Sequence, residues 1–274
     1  MQLSSRQFEK ISQFVCRLTG IHLKPGKEEM VKSRLNRHIA QLGMSDFDEY
    51  FKYVQRPGNE AELTSMLDAL TTNKTGFFRE KAHFEFLCRV VLPSLKDQQR
   101  IRIWSAGCSS GEEPVTIAML LREHFQDCDQ RDVRVLATDL STQVLSRARQ
   151  GCFLEKRVSA LPKALLGRYF SSQDTPEGLS YQARPEVLSL IGFARLNLMS
   201  RWPMRGPFQV IFCRNVMIYF DRLTQERLVG RFAQLLAPGG HFFVGHSENL
   251  TGRSHPFRFI QPAVYQKPHP QDLK

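Results

Sequence analysis

No apolar run in this chain of 274 residues approaches the length needed to span a bilayer, about 20 residues. The opening residues, Met1 to Arg6, start an amphipathic pattern and lack the apolar centre of a signal peptide. None of the six cysteines, Cys16, Cys88, Cys108, Cys128, Cys152 and Cys213, forms a C-x-x-C pair. Several lie inside apolar runs, which predicts reduced, mostly buried thiols in a cytoplasmic protein. Internal repeats, low-complexity tracts and a poly-Lys or poly-Arg tail are also missing.

What is there is ordinary for a globular chain: 42% hydrophobic and 24% charged residues. The length suits one large α/β domain with a small appendage. A net charge of +11 favours an acidic partner without identifying it. The first 75 residues carry 11 Lys and Arg against 9 Asp and Glu, so most of the excess lies further on. A solvated basic surface and a recognition surface both fit that spread.

Residues 1–70 read as helices only. Phe8, Ile11, Val15 and Leu18 fall at helical spacing, with Gly20 as a stop. Lys27 to Leu42 carries Val31, Leu35, Ile39 and Leu42 on one stripe, and Ser45 is placed to cap a third helix. After a linker at 71–80 the pattern alternates through residues 81–274. Strands at Ile101 to Ala106, Val133 to Asp139, Phe208 to Cys213 and Gly240 to His246 are separated by helical segments. This predicts a mostly parallel sheet covered on both faces. Phe257 to Gln266 reads as a late strand near the edge. The stretch from about 178 to 198 is β-rich and broken at Arg184-Pro185, so it is expected to form a small antiparallel insertion.

Open parallel sheets bind ligands beyond the C-terminal ends of their strands. Gly107 and Gly111 bracket the first such end with G-x-x-x-G spacing, which is not a dinucleotide fingerprint. Asp139, at the second strand end, can accept both hydroxyls of a ribose or can cap the next helix. Glu112 and Glu113 suit a helix first turn, and one of them could also face a cationic ligand. Thr71-Thr-Asn-Lys-Thr-Gly-Phe-Phe-Arg-Glu80 and Ile211-Phe-Cys-Arg-Asn-Val-Met-Ile-Tyr-Phe220 set polar groups among anchoring apolar ones.

These two segments, together with Trp104-Ser-Ala-Gly-Cys-Ser-Ser-Gly-Glu-Glu-Pro114 and Gly245-His-Ser-Glu-Asn249, resemble the CheR family of chemotaxis receptor methyltransferases. The likeness runs over nearly the whole chain. It implies a class I S-adenosylmethionine-dependent methyltransferase fold, Rossmann-like, with a small N-terminal all-helical domain and an inserted antiparallel β-subdomain. By motif, Asn73, Thr75, Arg79, Gly107, Glu113, Asp139, Asn197, Leu198, Asn215 and Val216 are expected around the cofactor. The implied reaction converts receptor glutamates to γ-methyl esters and releases S-adenosylhomocysteine. Arg79 and Tyr219 are candidates for orienting the incoming carboxylate. A salt bridge from Arg79 to Glu80 or Glu85, and core packing of Tyr219, are the alternatives. Lys27, Arg34 and Arg37 form a basic flank suited to an acidic receptor helix. The resemblance also raises docking of a receptor tail peptide on the β-subdomain, which is shortened around Ser171 to Pro176. No metal is required, and a monomer is expected.

Two other readings remain. Gly107-Cys-Ser109-Ser-Gly111 spells a nucleophile elbow, and Asp139 or Asp221 with His246 would complete a serine hydrolase. The basic charge suggests a nucleic-acid methyltransferase, although the strand end reads Arg-Asn-Val-Met rather than Asn/Asp-Pro-Pro-aromatic.

Overall fold

The computed structural model describes residues 1–252 and 254–273. Helices α1 (Ser5–Thr19), α2 (Glu28–Gln41), α3 (Phe47–Val54) and α4 (Glu60–Leu70) come first. Their apolar residues recur every three or four positions, so each presents one stripe to a shared core of Phe8, Ile11, Val31, Leu35, Phe47 and Met66. A capping box opens α1: the Ser4 hydroxyl accepts from Gln7 N–H, and Gln7 Oε1 accepts from Ser4 N–H. Gly20, at φ 75°, closes it in the left-handed region.

The helical reading holds with two local differences. Leu18 and Leu42 are 36% and 39% exposed, because the stripe has rotated outward at each helix end. Asp46 rather than Ser45 caps α3, its carboxylate accepting from Glu49 N–H at 2.8 Å. Ser45 instead donates its N–H and hydroxyl to the Glu49 carboxylate. Either residue type can cap; burial of Phe47 decides where the first turn closes.

The chain then runs through α5 (Ala82–Phe86), a π-helical turn at Leu87–Val91 and α6 (Leu92–Ser94). Pro93 has no N–H to return to the preceding turn, and the widened turn accommodates that loss. Beyond it lie β1 (Arg100–Ala106), α7 (Glu112–His124), β2 (Asp132–Asp139) and α8 (Thr142–Gln150). Next come β3 (Cys152–Leu154), α9 (Glu155–Val158), α10 (Lys163–Tyr169), β4 (Phe170–Thr175), β5 (Gly178–Ala183), α11 (Pro185–Leu188) and β6 (Ile191–Arg195). The chain finishes with β7 (Phe208–Cys213), α12 (Arg222–Leu235), β8 (Leu236–Val244), β9 (Arg258–Gln261) and β10 (Val264–Gln266).

The main sheet has the order β6-β2-β1-β7-β8-β10-β9. Its first five strands are parallel, and β10 and β9 add antiparallel. The expected late strand is therefore a hairpin, turned at Pro262 and at Ala263 with φ 63°. Ile103 and Trp104 face opposite sides, so the sheet separates two cores. Trp104 is fully buried and donates its indole N–H to the Thr138 hydroxyl at 2.9 Å.

The inserted subdomain departs from expectation. It is a three-stranded antiparallel sheet, β3-β5-β4, spanning 152–183 rather than 178–198. Ile191–Arg195 is instead an edge strand of the main sheet, parallel to β2. Pro185 starts the short α11 between them and redirects the chain. Short apolar alternation does not reveal the direction of the partner strand, so this boundary was invisible in the sequence.

Candidate functional site

Strand order reverses between β1 and β7: β2 and β6 extend one way, β8 and β10 the other. The crevice outside their C-terminal ends is where such sheets bind ligands. A cavity of about 380 Å³ opens there. It collects residues from the linker, the β1–α7 turn, the ends of β2, β6 and β7, and the α1–α2 loop.

All ten residues expected around the cofactor line this cavity, from Asn73 in the linker to Val216 after β7. Gly107 has φ 84°, and a Cβ there would lie 2.3 Å from the Val216 side chain. The turn therefore needs glycine, and it brings bare backbone to the cavity wall. Asp139 is buried and accepts from Ser109 N–H at 2.8 Å and Ser141 N–H at 3.0 Å. Burial pushes its carboxyl up, and these amide bonds only partly offset that. The capping alternative is not realised: the Ser141 hydroxyl caps α8, accepting from Val144 N–H, and Asp139 faces the cavity.

The two glutamates of the α7 first turn separate in role. Glu112 is held by Ser110 and Arg157 away from the cavity wall. Glu113 lines the wall, accepting from the Ser105 hydroxyl at 2.7 Å and from Arg214 at 2.8 Å. Arg79 lines the cavity and donates to the Lys74 carbonyl; neither Glu80 nor Glu85 pairs with it. Tyr219 is half-buried on the cavity wall outside the apolar cores, and its carbonyl accepts from His22 N–H at 2.8 Å.

The basic flank does not stay together. Lys27 is exposed and lines the cavity, and Arg37 is exposed on α2. Arg34 instead donates to the carbonyls of Ala69 and Thr71 at 3.0 and 2.8 Å. Those are orphan acceptors at the α4 C-terminus, so Arg34 fastens the linker to the helical domain.

Motif reading gave no role to several residues that shape the site. Arg214, at the β7 end, is only 3% exposed and bridges Glu113 to Glu80, the latter at 3.0 Å. It also donates to the Arg79 carbonyl. Burial pushes Glu80 up, but the pairing with Arg214 and bonds from Asn215 and His246 hold it below the usual carboxylate range. Glu248 is buried and accepts from the N–H groups of Asn215, Ile218 and Gly245, tying the β7 and β8 ends together. The α1–α2 loop also walls the cavity, and Asn197 donates to the Leu18 carbonyl. Both glutamates lie inside quoted motifs, yet their partners come from distant segments. Phe78, Glu80, Ser109 and Asn215 have φ between 50° and 59°, in the left-handed region. They surround this network, where packing and hydrogen bonds hold conformations that side chains disfavour.

Glu80, His83 and His246 bring ligand-type atoms within 4.8 Å of one another. The Arg214 guanidinium already occupies Glu80, and its charge opposes a second cation there. The hydrolase constellation is not assembled. The Ser109 hydroxyl donates to the Asn73 carbonyl, His246 packs on His83, and Asp221 caps α12.

This strand order, glycine turn and acidic second strand end define a class I methyltransferase domain carrying a helical appendage. Residues 73–265 match the model described as CheR methyltransferase, SAM binding domain, and residues 6–71 match CheR methyltransferase, all-alpha domain. The chain belongs to the CheR methyltransferase family. It is 40% identical to chemotaxis protein methyltransferase 2 of Pseudomonas aeruginosa, over 94% of this chain and 91% of that protein. It is 39% identical to the chemotaxis protein methyltransferase of Klebsiella aerogenes and 38% identical to that of Escherichia coli. Each of those matches covers 97% of this chain, with 90% and 92% of the respective relative.

Proposed function

We propose that this protein methylates glutamate side chains on the cytoplasmic helices of chemoreceptors, with S-adenosylmethionine as donor and S-adenosylhomocysteine as product. The observation that carries the reading is the convergence of six separate segments on one cavity at the sheet's switch point. No helix among the described residues is long and apolar enough to cross a membrane, which is compatible with action in the cytoplasm.

The donor set suits the cofactor. Asp139 offers a carboxylate for ribose hydroxyls, and Glu113 offers negative charge for a cationic amino or sulfonium group. Asn73, Thr75, Asn197 and Asn215 add hydrogen-bonding side chains, and Leu198 and Val216 add apolar wall. When bound, S-adenosylmethionine supplies a methyl group already activated by the sulfonium charge. A substrate glutamate is ionised at neutral pH, so no protein base is needed. The protein's task is alignment of carboxylate and methyl group, an effect worth about 7–11 kcal/mol in favourable cases. Arg79 and Tyr219 line the same cavity and are assigned the orientation of that carboxylate. One Arg79 nitrogen is engaged by the Lys74 carbonyl, which favours a partial contact over a tight fork that would damp the nucleophile.

Lys27 and Arg37 are assigned to the acidic receptor helix, with Arg34 serving the fold. The outer strand β4 has an open edge and exposed Ser171 to Asp174, where an extended receptor tail could add as a further strand. The enzyme is assigned to act as a monomer. Tritium transfer from labelled S-adenosylmethionine to receptor cytoplasmic fragments is expected to give a base-labile ester on glutamate. Base-stable label, or label only on nucleic acid, would overturn the substrate assignment.

A further inference from the structure

We propose that Arg214 sets the charge of the cofactor cavity and so its discrimination between S-adenosylmethionine and S-adenosylhomocysteine. The inference rests on the cofactor occupying the cavity described above. Arg214 lines that cavity with its side chain almost wholly out of solvent, and it is shared by Glu113 at 2.8 Å and Glu80 at 3.0 Å. Two carboxylates against one guanidinium leave one negative charge in a buried cluster, on the wall that Glu113 presents. His83 packs beside it with no hydrogen-bond partner for either ring nitrogen, and burial holds this imidazole neutral, near pKa 4. His246 is the other imidazole beside the cluster, packed on His83.

The donor and the product differ by one methyl group and one positive charge at sulfur. A single charge inside a poorly screened cavity acts on that difference while acting equally on everything the two ligands share. One residual negative charge favours the sulfonium of the donor over the neutral sulfur of the product by its own contribution. Without Arg214 the count would rise to two, and donor binding would be favoured more strongly. Without Glu80 it would fall to zero.

The test is titration calorimetry of both ligands at pH 8, reading the ratio of product Kd to donor Kd. Arg214→Met should raise the ratio about tenfold, and Glu80→Gln should lower it by a similar factor. The double variant, Arg214→Met with Glu80→Gln, restores one net negative charge and should restore the wild-type ratio. Arg214→Lys should keep it. Glu80→Gln and the double variant avoid two unpaired buried carboxylates, so they test the idea even if Arg214→Met does not fold. A ratio that stays constant while both affinities fall together would mean that Arg214 only braces the fold. Asp139→Ala separates the two levels. If it still binds both ligands normally, the cavity assignment fails and this inference with it. If it loses both while the Arg214 series leaves the ratio unmoved, this inference alone fails.

Discussion

The floor and the mouth of the cavity are built on opposite principles. At the floor, Glu113 and Arg214 line the cavity almost out of solvent, Glu80 pairs with Arg214 behind them, and the buried Glu248 accepts from Asn215 and Gly245 N–H. At the mouth, Lys24, Lys27 and Lys74 are exposed and form no ion pair among the described residues. A floor satisfied in advance does not reorganise when the reaction proceeds, which is where fixed charges are most effective. A mouth of flexible, hydrated lysines contributes little to stability, but it can meet an acidic helix and speed its arrival.

That contrast can be broken most directly at the floor. Asp139→Ala is expected to weaken S-adenosylmethionine binding about 100-fold, read by calorimetry. An affinity within a few-fold of wild type would overturn the assignment of the cofactor to this cavity. Arg34→Ala is next. The loss of two charged hydrogen bonds to the α4 terminus should cost about 2 kcal/mol in urea unfolding. Arg37→Ala should leave stability unchanged and raise KM for receptor fragments several-fold at low salt. The reverse pattern would return Arg34 to the recognition surface.

Tyr219→Phe tests the border between the two regions. Turnover should fall about tenfold with donor Kd held within about twofold, since the hydroxyl is assigned to the substrate side. Equal losses in both would move it to the cofactor. The smallest effect is in pH. Burial raises Glu248 above the usual carboxylate range. Above its ordinary pKa, the native state then binds more protons than the unfolded chain, so stability falls as pH rises through the raised value. The contribution is fully present below the ordinary pKa, about 4.3. Glu80, held low, contributes with the opposite sign: its share is present above the ordinary value and lost on acidification. Urea midpoints measured across acid pH should show a shallower fall with rising pH in Glu248→Gln than in wild type. Identical slopes would remove Glu248 from the balance.

Much of this was legible from residues alone. Helical spacing placed α1 and α2 and marked residues 1–70 as all-helical, and strand–helix alternation placed β1, β2, β7 and β8. The long motifs marked the linker and the strand ends that meet at the cavity. Leu18, Leu42 and the insertion boundary were misplaced, each because a local pattern says that a face is apolar but not what covers it.

What the sequence by itself determined is the set of local choices. These include Gly107 where a side chain would strike Val216, Gly20 where α1 must stop, and apolar runs only long enough for strands. What only the tertiary structure decided is who meets whom. Arg34 turned from a basic flank to the end of α4, Ile191–Arg195 joined the main sheet, and Arg214 found Glu80 and Glu113, 134 and 101 residues away. Propensity and spacing act over a few residues, whereas buried charges must find partners wherever the fold brings them.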